Sequence, residues 1–196
     1  VIAILQEGFG GDHILQSAKS NAIDLTDVEL VHVTGIPPAL SQSARKATFR
    51  LMDRAKEAGI FITFDPNLRP VLWEDEETMC TVLNQLAAKA DVVLPGIGEC
   101  KILAGTEDKK EAADFLSEAG CENGDYQRMD RRCYVQTADE NYDVAGYKVE
   151  KVVDTVGAGD GFAVGVLSGI LEGLDHEGQC KKRKCDWSNS GNEYRR

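Results

Sequence analysis

A chain of 196 residues with 42% hydrophobic content is large enough to bury a core of its own and falls in the size range of one ordinary domain. Its formal net charge of -11 argues against a nucleic-acid backbone or an anionic membrane surface as the main partner, because both reward clustered Lys and Arg. No run approaches the roughly 20 apolar residues that span a bilayer and no secretion signal is visible, so a cytoplasmic protein is expected; Val1 in place of an initiator Met suggests a lost N-terminus.

Regular patterning starts at Val28. VELVHVTG (28–35) predicts a short buried strand, and SQSARKATFRLMDRAKEAG (41–59) an amphipathic helix ended by Gly59. GIFITFDPN supplies the next strand, ETMCTVLNQLAAKA (77–90) the next helix, and DVVLPG (91–96) the strand after that. Apolar strands alternating with helices predict an α/β fold with a mostly parallel sheet covered on both faces. Ligands of such sheets bind beyond the carboxyl ends of the strands, where FDPNLR and LPGIGE fall.

A helix from about Lys109 to Ala119 should lead into another buried strand, yet CENGDYQRMDRR (121–132) is polar and has no strand pattern, so the fold is expected to break there. Strand and hairpin character returns over 133–154. A glycine- and alanine-rich helix follows over 158–174, and the tail after Gly178 is charged and aperiodic, the composition of a disordered segment. The cysteines Cys80, Cys100, Cys121, Cys133, Cys180 and Cys185 show no metal-site spacing and read as free thiols. His13, His32 and His176 read as structural or solvated.

The chemistry concentrates in DTVGAGDGFAVGVLSGILEG (154–173), a strand end, a glycine turn, an acid and a helix packed through small residues. A glycine turn opening a helix leaves N–H groups free beside the positive end of the helix dipole, a site for phosphate oxygens. Gly157, Ala158 and Gly159 are thereby candidates to hold charge developing on a transferring phosphoryl group, and Asp160 to take the proton of an attacking hydroxyl. The plainer reading of the same residues is a tight turn with a capping Asp.

The string DTVGAGDGF decides between them, because it resembles the C-terminal signature of the ribokinase (PfkB) family of carbohydrate kinases, DTxGAGDxF, at every fixed position. The resemblance implies a three-layer α/β/α ribokinase-like fold, with Asp160 as catalytic base, Gly157, Ala158 and Gly159 as the anion hole, and Asp154 with Thr155 shaping the nucleotide and phosphate end. PGIGE (95–99) aligns with the family's NxxE segment. Glu99 then stands where the family organises magnesium and phosphate through water, and Gly96 where Asn is usual. FDPNLRP (64–70) and VHVTGIPPALS (31–41) resemble the 2-keto-3-deoxygluconate kinase branch, in which Asp65, Asn67 and Arg69 line the cleft between sugar and ATP.

Implied partners are therefore ATP, Mg2+ and a small sugar acid, 2-keto-3-deoxygluconate, with no nucleic acid and no membrane. Alternatives are a fructokinase or ribokinase, or an inactive remnant that binds nucleotide weakly or not at all. The family's opening sheet and sugar-gripping lid have no counterpart here, which makes a lid-mediated homo-oligomer doubtful. Residues 1–177 read as a partial kinase domain disrupted at 1–20 and 121–132, and 178–196 as a non-native or disordered tail. Read one base later, codons permitted by 121–132 include those for AKTVIIKEWTG, by 178–196 those for ASVKKGNAIGAIAAMSIG, and by 3–12 those for RFYRKASAAT. Each string resembles the family at its place, so a slipped reading frame is expected in the underlying gene. Little or no kinase activity is expected of the chain as it stands.

Overall fold

The computed structural model describes residues 2–4, 25–121, 124–128, 132–145 and 158–182. Among these, seven strands form one sheet in sequential order: β1 (Ile2–Ile4), β2 (Leu30–Thr34), β3 (Phe61–Asp65), β4 (Val92–Val93), β5 (Gly124–Arg128), β6 (Arg132–Gln136) and β7 (Asn141–Ala145). β1 to β5 run parallel, and β5, β6 and β7 form an antiparallel meander at one side. The helices are α1 (Pro37–Leu40), α2 (Gln42–Glu57), α3 (Glu76–Ala87), α4 (Ile97–Leu103), α5 (Lys109–Ala119) and α6 (Ala158–Leu171), followed by a short helix over 176–182. No helix among the described residues is long and apolar enough to cross a membrane.

Local chemistry sets the helix boundaries. The Ser41 hydroxyl accepts the Ala44 amide at 3.1 Å and so caps α2. The Asp75 carboxylate accepts the Thr78 amide at 2.6 Å and caps α3, and those amide contacts hold its pKa below the ordinary carboxylate value. Asp108 caps α5 through the amides of Lys110 and Glu111. Gly120 ends that helix at φ 117°, a left-handed conformation open to glycine.

Period-two alternation divides the strands between two cores. Val31, Val33, Ile62, Phe64 and Val93 pack against Leu51, Met52, Met79, Leu83 and Leu86 of α2 and α3, and Leu116 of α5. Val92, Leu94, Cys133, Val135 and Val144 pack against Phe162, Ala163 and Val166 of α6 on the opposite face. Helices cover both faces, giving the expected three layers.

Three expectations need correction. Within the stretch expected to break the sheet, residues 124–128 form a strand: Val92 and Val93 of β4 pair with Gly124 and Asp125, and Asp125 to Arg128 pair with Gln136 to Cys133 of β6. The gap between β4 and β6 presents unpaired main-chain N–H and C=O groups on both sides, and any non-proline backbone satisfies them whatever its side chains. The tail also starts later than expected, since residues 176–182 are helical and Gln179 and Cys180 are buried. At the other end, residues 2–4 form β1 within the stretch expected to be disrupted. The remainder of 5–20, and residues 183–196, lie outside the described residues.

Candidate active site

The register of β2 and β3 builds a polar ladder on the face that α6 covers. Leu30 stands beside Phe61, His32 beside Thr63, and Thr34 beside Asp65. These residues alternate with the apolar set buried under α2 and α3, so they share the other face, where Phe61 packs against the core under α6. The ladder therefore becomes polar toward the carboxyl ends of the strands, where an open α/β sheet binds ligands.

His32 is 5% exposed, and its Nδ1 lies 2.9 Å from the Thr63 hydroxyl. Burial lowers its pKa from 6.5 to about 4, and the negative charge of Asp160 opposes part of that fall. Asp160 lies in the first turn of α6 and is exposed. Its field at His32 ties the start of α6 electrostatically to the middle of β2.

The His32 shift fixes the sign of an acid response. Between pH 6.5 and about 4 the unfolded chain binds a proton that the folded chain refuses, so stability falls as the pH drops through that window. The expected loss between pH 7 and pH 5 is about 2 kcal/mol. Urea midpoints at the two pH values measure it, and His32→Gln should remove this component of the slope.

The segment after β3 is fixed by its own main chain. Asp65 is buried, and its Oδ1 accepts the Asn67 amide at 3.1 Å, an Asx turn. Asn67 adopts φ 40°, in the left-handed region that Asn tolerates. The Gly35 amide donates to the Asp65 carbonyl at 2.9 Å, locking the exit of β2 to the exit of β3. A Cβ on Gly35 would stand 1.9 Å from the Pro66 carbonyl oxygen. Arg69 is exposed and donates from Nη1 to the Leu68 carbonyl at 2.8 Å. Nearby, Arg45 of α2 donates to the Pro38 carbonyl and lies over the Trp73 ring, bracing the two loops from outside.

Glu99, in the first turn of α4, accepts two amides. Its Oε2 takes the Gly96 amide at 2.6 Å, and its Oε1 takes the Leu68 amide at 2.9 Å. The first bond is the backward reach of a capping box, and the second joins the loop after β3 to the loop after β4. Each of these carboxylate oxygens keeps a further lone pair able to accept from water. Glu99→Gln replaces one acceptor oxygen by a donor NH2 and should cost about 1–2 kcal/mol through one lost main-chain bond. Thermal unfolding of the pair of proteins checks this.

Among the expected site residues, Asp65, Asn67, Arg69, Gly96 and Glu99 form one connected loop cluster through the Leu68–Glu99 bond. Ala158, Gly159 and Asp160 open α6. Asp154, Thr155 and Gly157 lie outside the described residues. Sequence reasoning did not single out Thr63 or Gly35, and it read His32 as structural or solvated, a reading with which its burial and its bond to Thr63 agree. The Val-His-Val alternation at 31–33 carried a signal for His32, since it sets the imidazole on the face opposite the apolar valines; the pairing with Thr63 depends on a register that one sequence does not reveal.

Residues 8–182 match the profile described as pfkB family carbohydrate kinase. A 2-dehydro-3-deoxygluconokinase from Bacillus subtilis is 44% identical over 147 residues, which are 75% of this chain and 45% of that protein. The crystal structure of a PfkB protein from Polaromonas sp. superposes with a TM-score of 0.76 at 36% identity, over 84% of this chain and 54% of that one. An aminoimidazole riboside kinase from Salmonella enterica, crystallised with aminoimidazole riboside and an ATP analog, gives a TM-score of 0.71 at 25% identity, over 81% of this chain and 54% of that one. The chain thus spans about half the length of the curated relatives it matches, 45% of one and 56% of another. A profile match across most of the sequence, on a parallel sheet of the same architecture, establishes that the chain belongs to the pfkB family of carbohydrate kinases.

Proposed function

We propose that the protein transfers the γ-phosphoryl group of ATP to a hydroxyl of a sugar acid, 2-keto-3-deoxygluconate; the expectation of little or no activity rested in part on a broken sheet, and the strand over 124–128 closes that gap. The observation that carries the reading is the placement of Asp160: an exposed carboxylate at the start of α6, on the face of the sheet where the His32–Thr63 and Thr34–Asp65 rungs lead to the strand ends.

ATP supplies the phosphoryl group when bound. The first amides of α6, at Ala158 and Gly159, have no intrahelical acceptor and suit phosphate oxygens, with the helix dipole adding to the attraction; the family signature gives Gly157 the same role. The family signature assigns Asp154 and Thr155 to the same nucleotide end. Asp160 accepts the proton of the acceptor hydroxyl as that oxygen attacks. His32, within the electrostatic reach of Asp160, stays neutral at ordinary pH and adds no competing positive charge. Arg69, exposed beside the fixed Asp65–Asn67 turn, offers a cation to an acid carboxylate.

Magnesium fits this set only at second remove. Both Glu99 oxygens are engaged by amides, and the described residues contain no group of three or more His, Cys, Asp or Glu able to hold a metal ion. Glu99 would then orient a water of the ion's shell, with Gly96 giving room beside it.

The experiment is a comparison of acceptors by ADP release with ATP and magnesium present. Faster turnover on 2-keto-3-deoxygluconate than on fructose or ribose is the expected result. Preference for a neutral sugar would instead assign the fructokinase or ribokinase activity, and ATP binding without transfer to any acceptor would identify a remnant.

A further inference from the structure

A second chemistry lies away from the strand ends, where two thiols meet. Cys133 of β6 and Cys180 of the 176–182 helix have no exposed surface, and their Sγ atoms are 2.9 Å apart. They are separated by 47 positions in sequence, so the fold brings them together. Their surroundings are apolar: Val135, Val144, Phe162 and Val166 belong to the same core. Two thiols this close can react with one another.

The helix carrying Cys180 is held closely against α6. A Cβ on Gly169 of α6 would fall 2.8 Å from the Gln179 Cα, so glycine is what permits that approach. The Gln179 side-chain amide donates to the Leu174 carbonyl at 2.7 Å, Asp175 caps the helix by accepting the Gly178 amide at 2.8 Å, and Lys182 pairs with Glu172. These contacts orient Cys180 toward the sheet.

We propose that Cys133 and Cys180 form a disulfide that clasps the 176–182 helix, and through it α6, to the central sheet. A peroxide is the oxidant. One thiolate attacks a peroxide oxygen to give a sulfenic acid and hydroxide, and the second thiolate displaces the sulfenic oxygen as a further hydroxide. Two thiols and one hydrogen peroxide thus become one disulfide and two waters, with the sulfurs losing two electrons to the peroxide. Closing the sulfurs to the bonded separation needs a movement of less than about 1 Å. Access comes from local opening of the 176–182 helix, the last element of the described chain and one joined to α6 by only a few residues. The modification stands independently of the phosphoryl transfer proposed above.

Trypsin separates the pair cleanly, because the peptides 133–148 and 152–181 contain one cysteine each. The folded protein is treated with hydrogen peroxide, its remaining thiols are alkylated, and it is digested without reductant. A 133–148/152–181 linked peptide that disappears on adding dithiothreitol is the expected result. Oxidation should also raise the unfolding midpoint of the unsubstituted protein by about 5–10 °C, an effect absent from Cys180→Ala. Absence of the linked peptide, or pairing of Cys133 with Cys80, Cys100, Cys121 or Cys185 instead, would overturn the assignment.

Discussion

Asp160→Asn should lower the rate of phosphoryl transfer by roughly 10²- to 10⁴-fold, the range expected when a positioned proton acceptor is removed. Asparagine has nearly the same size and still serves a helix start, so α6 should keep its place. What it lacks is basicity. ATP affinity should stay within a factor of about two, since helix amides rather than this carboxylate suit the phosphates, and loss of a negative charge near them does not oppose binding. The substitution also has a readout that needs no turnover. Asp160 opposes the burial that lowers the His32 pKa to about 4, so its neutral replacement should let that imidazole titrate still lower, which NMR of the histidine ring follows. Unchanged kcat in Asp160→Asn would remove this residue from the mechanism, and an unchanged His32 titration would remove the electrostatic link between α6 and β2.

Gly35→Ala should destabilise the protein by about 3 kcal/mol. A Cβ there would meet the Pro66 carbonyl oxygen at 1.9 Å, the Pro66 carbonyl carbon at 2.9 Å and Leu83 Cδ2 at 2.9 Å. The leucine tip has rotamer freedom, but the Pro66 carbonyl does not. It sits between Asp65, whose carbonyl accepts the Gly35 amide, and Asn67, whose amide is held by the Asp65 side chain. Relief therefore requires the whole turn to move, carrying Asn67 and Arg69 with it and pulling Leu68 from Glu99. Activity and stability should fall together, unlike the selective loss in Asp160→Asn. Gly98→Ala is the matched control, because nothing lies within 4 Å of its added Cβ and alanine favours the helix by up to about 1 kcal/mol. Equal urea midpoints for Gly35→Ala and the unsubstituted protein would show that the two strand exits are not locked as described.

What the sequence announced, and what it hid, follow from the range of the interactions concerned. Ser41 and Gly59 bracket a helix that forms over Gln42–Glu57, because capping depends on neighbours within a few residues. The small-residue string after Thr155 reads as a helix start for the same reason, and α6 begins at Ala158. The DPNLR segment was legible as the end of a strand, whereas the Asp65–Asn67 bond that fixes it as a turn was not read from the sequence. By contrast, β5 was missed because strand formation there is decided by pairing with β4, about 30 positions earlier, as well as with its neighbour β6, and not by an apolar pattern of its own. His32 looked merely structural because its partners, Thr63 and Asp160, lie 31 and 128 positions away. Glu99 was expected to serve magnesium, and its two amide bonds add a role in joining the loops, one of them to Leu68, 31 positions distant.

The central claim is that Asp160 and the strand-end cluster form one site for ATP-dependent transfer to a sugar acid. Its most direct test is a measurement of ADP release from ATP and magnesium, with and without 2-keto-3-deoxygluconate, by the unsubstituted protein and by Asp160→Asn. ADP release that depends on the acceptor and collapses in Asp160→Asn is the result this account expects; release that ignores the acceptor, or that persists undiminished in Asp160→Asn, would contradict it.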